Sequence, residues 1–144
     1  AASALDPRWL DEIDGRRGVF VSAQGLFMYF QDQVRQLVVR IVERFAEVEL
    51  MFDTVPRWVS RTSLGRGFSK TPHYTAPPMP WGVGQDELPS LLRRWSRRVG
   101  LVRTQPYGFW RGPGLLLLAL STHVPWFRDI APAIAHVTST GEGR

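Results

Sequence analysis

Two polar stretches follow predicted strands and have the residue types to contact a ligand. Gln24-Gly25 comes directly after the apolar segment Val19–Ala23, and Asp53 ends the segment Val48–Asp53. In open α/β sheets, ligands bind in the crevice beyond the carboxyl ends of the strands. An amide, a glycine backbone and a carboxylate at those ends are therefore candidate ligand-binding groups. The alternative role is structural, with Gln24-Gly25 starting a helix and Asp53 capping a turn.

The pattern between these stretches predicts the elements that position them. Asp32 is a suitable helix cap, and six apolar residues then recur at helical spacing: Val34, Leu37, Val38, Ile41, Val42 and Phe45. A strand, a helix and a second strand in close succession form a βαβ unit, whose two strands are expected to be parallel. The sequence therefore predicts an α/β protein.

The first predicted strand, Val19–Ala23, is nearly continuous in apolar residues. Such a strand is typical of a parallel sheet covered on both faces, and it should not lie at a sheet edge. Two more strands are predicted at Val99–Thr104 and Ile134–Thr138. The sheet then has about four strands, and because the first of them should not be an edge, we expect the second half of a doubly wound sheet.

The remaining segments predict a flap and further helices. Residues 54–85 are rich in proline and glycine, and the aromatic residues among them favour a packed flap over a loose linker. Helices are predicted over Asp86–Arg98, with Pro89 in the first turn, and over Gly114–Ser121. A short helix is predicted to open at Pro7, after an Asp6 cap.

Composition excludes several kinds of chemistry. The chain has no cysteine, which excludes disulfides, thiolate metal sites and a cysteine nucleophile. Its three histidines are too widely separated to form a ligand cluster, so we expect no metal site. No apolar run approaches the roughly 20 residues that cross a bilayer, and no secretory signal is recognisable. We therefore expect a cytoplasmic protein without a membrane partner.

Charge is distributed unevenly along the chain. Residues 1–53 hold nine acidic and six basic residues, a net charge of −3, whereas residues 54–144 hold four acidic and twelve basic residues, a net charge of +8. A basic half can bind an anionic partner such as nucleic acid. The arginines are scattered singly or in pairs, however, without a basic run interleaved with stacking aromatics. This pattern argues against nucleic acid and favours a solvated surface.

A nucleotide-type site needs more than the two strand ends provide. It requires a glycine-rich turn after the first strand of the sheet and an acidic residue after the second. No such turn precedes Gly18, and the later glycine pairs do not follow a strand that opens a βαβ unit. We therefore expect residues 1–144 to form one partial domain, the second half of a doubly wound domain.

Several blocks of sequence, in order, carry a family resemblance. They include Ser3-Ala4-Leu5-Asp6, the block 18–30 (GVFVSAQGLFMYF), Leu50-Met51-Phe52-Asp53 and the flap block 74–82 (YTAPPMPWG). Together they resemble the S-adenosylmethionine-dependent methyltransferases of the leucine-carboxyl and polyketide O-methyltransferase family. The resemblance covers nearly all of the chain and implies the carboxyl half of a Rossmann-like methyltransferase.

The resemblance implies cofactor-binding residues. In this family an Asp-Leu pair near the adenine precedes the strand that Val19–Ala23 matches. Here Ala4 takes the aspartate position and Leu5 follows it, so the resemblance implies contacts from Leu5 and from Asp6, with Ser3 as the alternative to Asp6. The family's Ala-Glu-Gly becomes Ala23-Gln24-Gly25, which keeps hydrogen bonding without the charge. Tyr29 matches an aromatic residue that lines the pocket.

Residues on the acceptor side are implied as well. His73 and Tyr74 in the flap are candidates for acceptor contact or for a base, which a hydroxyl acceptor needs and an ionised carboxylate does not. Asp53, Trp58 and Trp81 are candidates for the wall of the substrate pocket. Each also has a simpler reading, in which Pro72-His73-Tyr74 packs the flap and the tryptophans belong to the core. His123 and His136 are expected to lie outside the site.

The function implied is O-methyl transfer from S-adenosylmethionine to a small-molecule carboxylate or hydroxyl. Three explanations stay open for a chain with half of such a domain. The other half is lost or is a separate polypeptide, two copies pair through the first strand, or the chain is a non-catalytic remnant that acts as a binding or dimerisation module.

Overall fold

A computed structural model describes residues 3–71, 73–106 and 129–140. Within them, an α/β arrangement combines a mixed four-stranded sheet, a two-stranded hairpin and four α-helices. The predicted helix Gly114–Ser121 and His123 lie outside these ranges. None of the helices in the described ranges has the length and apolar character needed to cross a membrane.

The helices and strands follow one another in a mixed order. The helices are α1 (Arg8–Asp11), α2 (Gln33–Arg44), α3 (Arg57–Gly65) and α4 (Leu88–Trp95), with a 3₁₀ turn at Phe27–Tyr29. The strands are β1 (Val19–Ala23), β2 (Val48–Thr54), β3 (Phe68–Thr71), β4 (Tyr74–Ala76), β5 (Val99–Pro106) and β6 (Ala133–Ser139).

The main sheet has the strand order β1-β2-β6-β5. Strands β1 and β2 are parallel, which confirms the predicted βαβ unit, with Val19 opposite Val48 and Ala23 opposite Phe52. Strand β6 is antiparallel to both of its neighbours, β2 and β5. Strands β1, β2 and β5 therefore all run in one direction, and their carboxyl ends meet at one edge of the sheet.

One face of the sheet packs on helices and forms the core. Val48, Leu50 and Phe52 alternate along β2 on this face and are almost completely buried. They pack with the apolar stripe of α2, and Leu88 and Leu92 of α4 join the same cluster. Every member of the predicted stripe from Val34 to Phe45 is buried, which confirms that prediction.

The described residues cover β1 on one face only, so the cover expected on its other face is not among them. Its exposure alternates, and Phe20 is 59% exposed on the face opposite the helices. Strand β1 also lies at the edge of the sheet rather than inside it, because β2 is its only described neighbour. We call the face that carries Phe20, Met51 and His136 the open face.

The segment 54–85 is more regular than the predicted flap. Pro56 immediately precedes α3, where its fixed φ suits a helix start, and β3 and β4 form an antiparallel hairpin. The segment is packed, as expected. Met79 and Ala76 join Val55 and Val59 around Met28, in a small buried cluster beneath the 3₁₀ turn.

The predicted helix Asp86–Arg98 is shorter in the structure and ends at Trp95. Beyond it, Arg98 reaches back to the end of α2. Its guanidinium donates to the carbonyl oxygens of Glu43, Phe45 and Ala46 at 3.1, 2.8 and 3.0 Å. The last carbonyls of a helix lack partners within the helix, so Arg98 supplies donors for the end of α2.

Replacing Arg98 by alanine is expected to lower the free energy of unfolding by about 2 kcal/mol, because three charge-assisted hydrogen bonds are lost. Urea unfolding measured by tryptophan fluorescence checks this value. Arg97→Ala is the matched control, since Arg97 is exposed and makes no described side-chain contact. Equal effects of the two substitutions would contradict the capping role.

Candidate functional site

The carboxyl ends of β1 and β2 meet at a direct hydrogen bond. The backbone N–H of Gly25 donates to Oδ1 of Asp53 at 2.8 Å, although the two residues are 28 positions apart. This contact brings together two of the residues predicted from the strand ends. It lies at the edge of the sheet where a ligand crevice is expected in an α/β fold.

Asp53 is a nearly buried carboxylate, with 9% of its surface exposed. Its strand neighbour Phe52 points into the helix-covered core, so Asp53 projects toward the open face. Opposite it in the register is Ile134 of β6. The Gly25 amide is the one described hydrogen-bond donor to Asp53, and a carboxylate can accept several more. The site therefore retains acceptor capacity for a hydroxyl or a cation.

Gly25 and Gln24, beside the buried Asp53, are exposed. Gly25 has φ +60°, a left-handed conformation that favours glycine, and no atom lies within 4 Å of where a Cβ would stand. A ligand can approach this backbone closely. The Gln24 side chain is exposed and makes no hydrogen bond to the described residues. Its amide is available as both donor and acceptor.

Tyr29 stands on the 3₁₀ turn that follows Gly25. It is 38% exposed, and its hydroxyl has no hydrogen bond to the described residues. The turn itself is held firmly, because Met28 beside Tyr29 is buried and its carbonyl oxygen accepts from the backbone N–H of Trp81 at 3.2 Å. Tyr29 is thus an exposed aromatic group on an anchored turn near the strand ends.

Trp81 and Trp58 do not share one pocket with Asp53. The Trp81 ring lies 6.2 Å from Phe52 and 6.4 Å from Phe27, centroid to centroid, and so belongs to the helix-covered side. The Trp58 indole N–H donates to the carbonyl oxygen of Ile130 at 2.9 Å and ties α3 to the chain before β6. Asp53 faces the other side of the sheet from Trp81.

Leu5 and Asp6 lie before α1, and no described contact joins them to Gly25 or Asp53. The Asp6 carboxylate is instead bound by the side chain and backbone N–H of Arg8. These hydrogen bonds, first from the Arg8 side chain and then from its backbone, lower the pKa of Asp6 below its ordinary value. Asp6 is therefore a negative charge already paired with a neighbour.

His73 and Tyr74 lie on the hairpin. His73 is exposed at the turn between β3 and β4, and the backbone of Tyr74 begins β4. The described contacts of the hairpin are with α3 and the residues around Met28, through Ala76. The structure thus gives these two residues a place on the flap and does not bring them to Asp53.

The open face carries a hydrogen-bonded side-chain pair, Glu49 and His136, that the sequence did not reveal. Nε2 of His136 lies 2.8 Å from a carboxylate oxygen of Glu49, on the adjacent strands β6 and β2. The two residues are 87 positions apart, so only the strand register brings them together. Burial alternates along β6, and Ala133, Ala135 and Val137 lie on the core face. This alternation in the sequence could have predicted that His136 lies on the open face.

The chemistry available at the strand ends is polar binding. Asp53, the Gly25 backbone, Gln24 and Tyr29 can hold and orient a ligand by hydrogen bonds, and Asp53 adds a negative charge. No group of three potential metal-ligating side chains occurs among residues 3–71, 73–106 and 129–140.

Comparison with models of known protein families finds no match, and comparison with curated proteins finds none either.

Proposed function

We propose that this chain takes part in O-methyl transfer from S-adenosylmethionine to a small-molecule carboxylate or hydroxyl, as one portion of a larger or split enzyme. The observation that carries the proposal is the Gly25–Asp53 hydrogen bond at the carboxyl ends of two parallel strands. That position, and the sequence resemblance around it, favour a cofactor-dependent enzyme over a purely structural domain.

The residues at this edge fit the groups that such a reaction presents. A sulfonium or an ammonium group is attracted by a carboxylate that is largely shielded from water, as Asp53 is. The open space at Gly25 admits close approach to the backbone, and the Gln24 amide and Tyr29 hydroxyl can bond polar ligand atoms. Bound S-adenosylmethionine supplies an electrophilic methyl carbon on a positively charged sulfur.

The role of these side chains is alignment. An acceptor oxygen must reach the methyl carbon in line with the carbon–sulfur bond that breaks, and holding two reactants in that geometry accounts for much of such catalysis. A hydroxyl acceptor also gives up a proton to a base, for which His73 on the hairpin is the candidate. An ionised carboxylate acceptor needs no base.

The proposal includes a complementary half, in the same polypeptide or in another one. Strands β1, β2 and β5 are ordered outward from β1, as in one half of a doubly wound sheet, with β6 inserted between β2 and β5. In such folds helices cover both faces of the sheet, whereas the described residues cover only one. The edge of β1 that is free of described strands, together with the exposed Phe20, is suited to pairing with a further strand and helix.

A binding or dimerisation module is the second candidate function. The same free edge favours it, because Val19–Ala23 contains none of the charges, prolines or bulges that normally protect an edge strand. In this case a second copy of the chain pairs along β1, and no cofactor is needed.

Equilibrium dialysis with radiolabelled S-adenosylmethionine tests the proposed function. The chain is tagged, expressed from its natural gene and purified in its native assembly. We expect that assembly to bind the cofactor in the micromolar range, S-adenosylhomocysteine to compete, and ATP to fail. The chain alone is expected to bind far more weakly.

The outcome separates the two candidates. An assembly that retains no S-adenosylmethionine overturns the methyltransferase proposal. If light scattering also shows an assembly made only of copies of this chain, the module is supported. A Gln24→Ala variant that weakens cofactor binding severalfold, beside an unaffected Glu47→Ala control at the opposite edge of the sheet, would place the cofactor at the strand ends.

A further inference from the structure

A groove of about 650 Å³ lies on the helical side of the molecule, between α2 and the two tryptophans Trp81 and Trp95. Its volume is within the range of small-molecule sites. Trp81 belongs to the helix-covered side of the sheet, whereas Asp53 projects from the open face. The lining of the groove includes none of the residues of the candidate site at the strand ends, and its role does not depend on the proposed function.

The two indoles give the groove a firm aromatic wall. The inner side of Trp81 packs on Phe27 and Phe52, and its backbone N–H is bonded to Met28, so the ring is fixed in place. Trp95, at the end of α4, is half-buried against the same core. Neither indole N–H has a hydrogen bond to the described residues. Each ring offers a flat face and an available donor.

The opposite wall is rich in cationic donors. Arg35 and Arg40 project from α2 into the lining, and neither makes an ion pair or hydrogen bond with the described residues. Gln36 adds an amide, and Asp32 is the one acidic residue of the lining. These three charged side chains therefore carry a net charge of +1, which favours an anionic ligand. Guanidinium groups bind carboxylates with paired hydrogen bonds and also stack on flat rings.

We propose that this groove binds a small planar aromatic anion, of the aryl carboxylate class. The ring of the ligand lies against the two indoles, and its carboxylate is held by Arg35 and Arg40. A neutral aromatic compound of the same shape loses the guanidinium hydrogen bonds, and an aliphatic anion loses the stacking. Both features of the ligand contribute to its affinity.

Titration of the full chain with 2-naphthoate, monitored by the two-dimensional NMR signals of the indole N–H groups, tests this proposal. We expect the Trp81 and Trp95 signals to shift, with a dissociation constant of roughly 0.1–1 mM. The neutral probe 2-naphthamide is expected to bind at least about tenfold more weakly, since it lacks the charge. Signals of Trp58 are expected to stay in place.

Paired substitutions locate the charge contribution. We expect Arg35→Gln with Arg40→Gln to weaken 2-naphthoate binding about tenfold or more and to leave 2-naphthamide unchanged. Arg61→Gln and Arg97→Gln, exposed arginines outside the groove, should change neither affinity. Equal affinity for the two probes, shifts at Trp58 instead of Trp81 and Trp95, or no shift at all would overturn the proposal.

Discussion

Replacing Phe52 by alanine is expected to lower the free energy of unfolding by about 3–5 kcal/mol, since this ring is fully buried and its loss leaves a cavity. Phe52 packs 4.8 Å from Phe27 and 6.2 Å from Trp81, centroid to centroid, so the cavity opens at the centre of an aromatic cluster. Urea unfolding of the full chain, measured by circular dichroism, gives the value. A decrease of this size is a large part of the free energy of unfolding of an ordinary domain.

Phe20→Ala is the matched control for this substitution. It removes the same side chain from the adjacent strand, where 59% of Phe20 is exposed, and should change stability by about 1 kcal/mol or less. If Phe52→Ala does not fold, Phe52→Leu should still unfold at a measurably lower urea concentration, with a cost of about 1.5 kcal/mol. Equal costs for Phe20→Ala and Phe52→Ala would contradict the assignment of the two sheet faces.

Replacing Asp53 by asparagine is expected to weaken binding of S-adenosylmethionine or acceptor by the native assembly about tenfold or more, because a charge-assisted contact becomes neutral. Asparagine keeps an oxygen that can accept the Gly25 N–H, so the loop after β1 should hold its place. Equilibrium dialysis and the rate of methyl transfer, taken together, measure the loss.

Two further variants separate charge from structure at this position. Asp53→Ala leaves the Gly25 N–H without its partner and should also cost about 1–3 kcal/mol of stability. Asp86→Asn removes an exposed carboxylate before α4 and should alter neither binding nor stability. Binding that survives Asp53→Asn unchanged would remove the carboxylate from the proposed site.

Local patterns in the sequence were sufficient to predict the elements around the candidate site. The helical spacing from Val34 to Phe45 and the apolar runs before Gln24 and Asp53 report burial directly, and the structure has a helix and strands there. Helix α3 was not predicted, because the prolines of residues 54–85 suggested a loop. Pro56 placed just before a stretch without proline was the available signal, since proline is well tolerated at a helix start.

The arrangement of the sheet could not be predicted in the same way. The position of β6 depends on pairing between residues as far apart as Glu49 and Thr138, and no local pattern encodes that choice. The same long-range register creates the Glu49–His136 pair. The sequence also could not predict on which face of the sheet Trp81 lies, because residues 77–87 have no periodic pattern that assigns a side chain to one face.

The insertion of β6 between β2 and β5 has a consequence for synthesis on the ribosome. Strands β1 and β2 can pair as soon as Thr54 has emerged, but β2 then waits for β6, which follows all the other described strands in the chain. During that interval β2 and β5 lack the strand that each pairs with in the folded sheet, and such unpaired edges are prone to aggregation. The nascent chain should therefore depend on chaperones until Ala133–Ser139 has been translated.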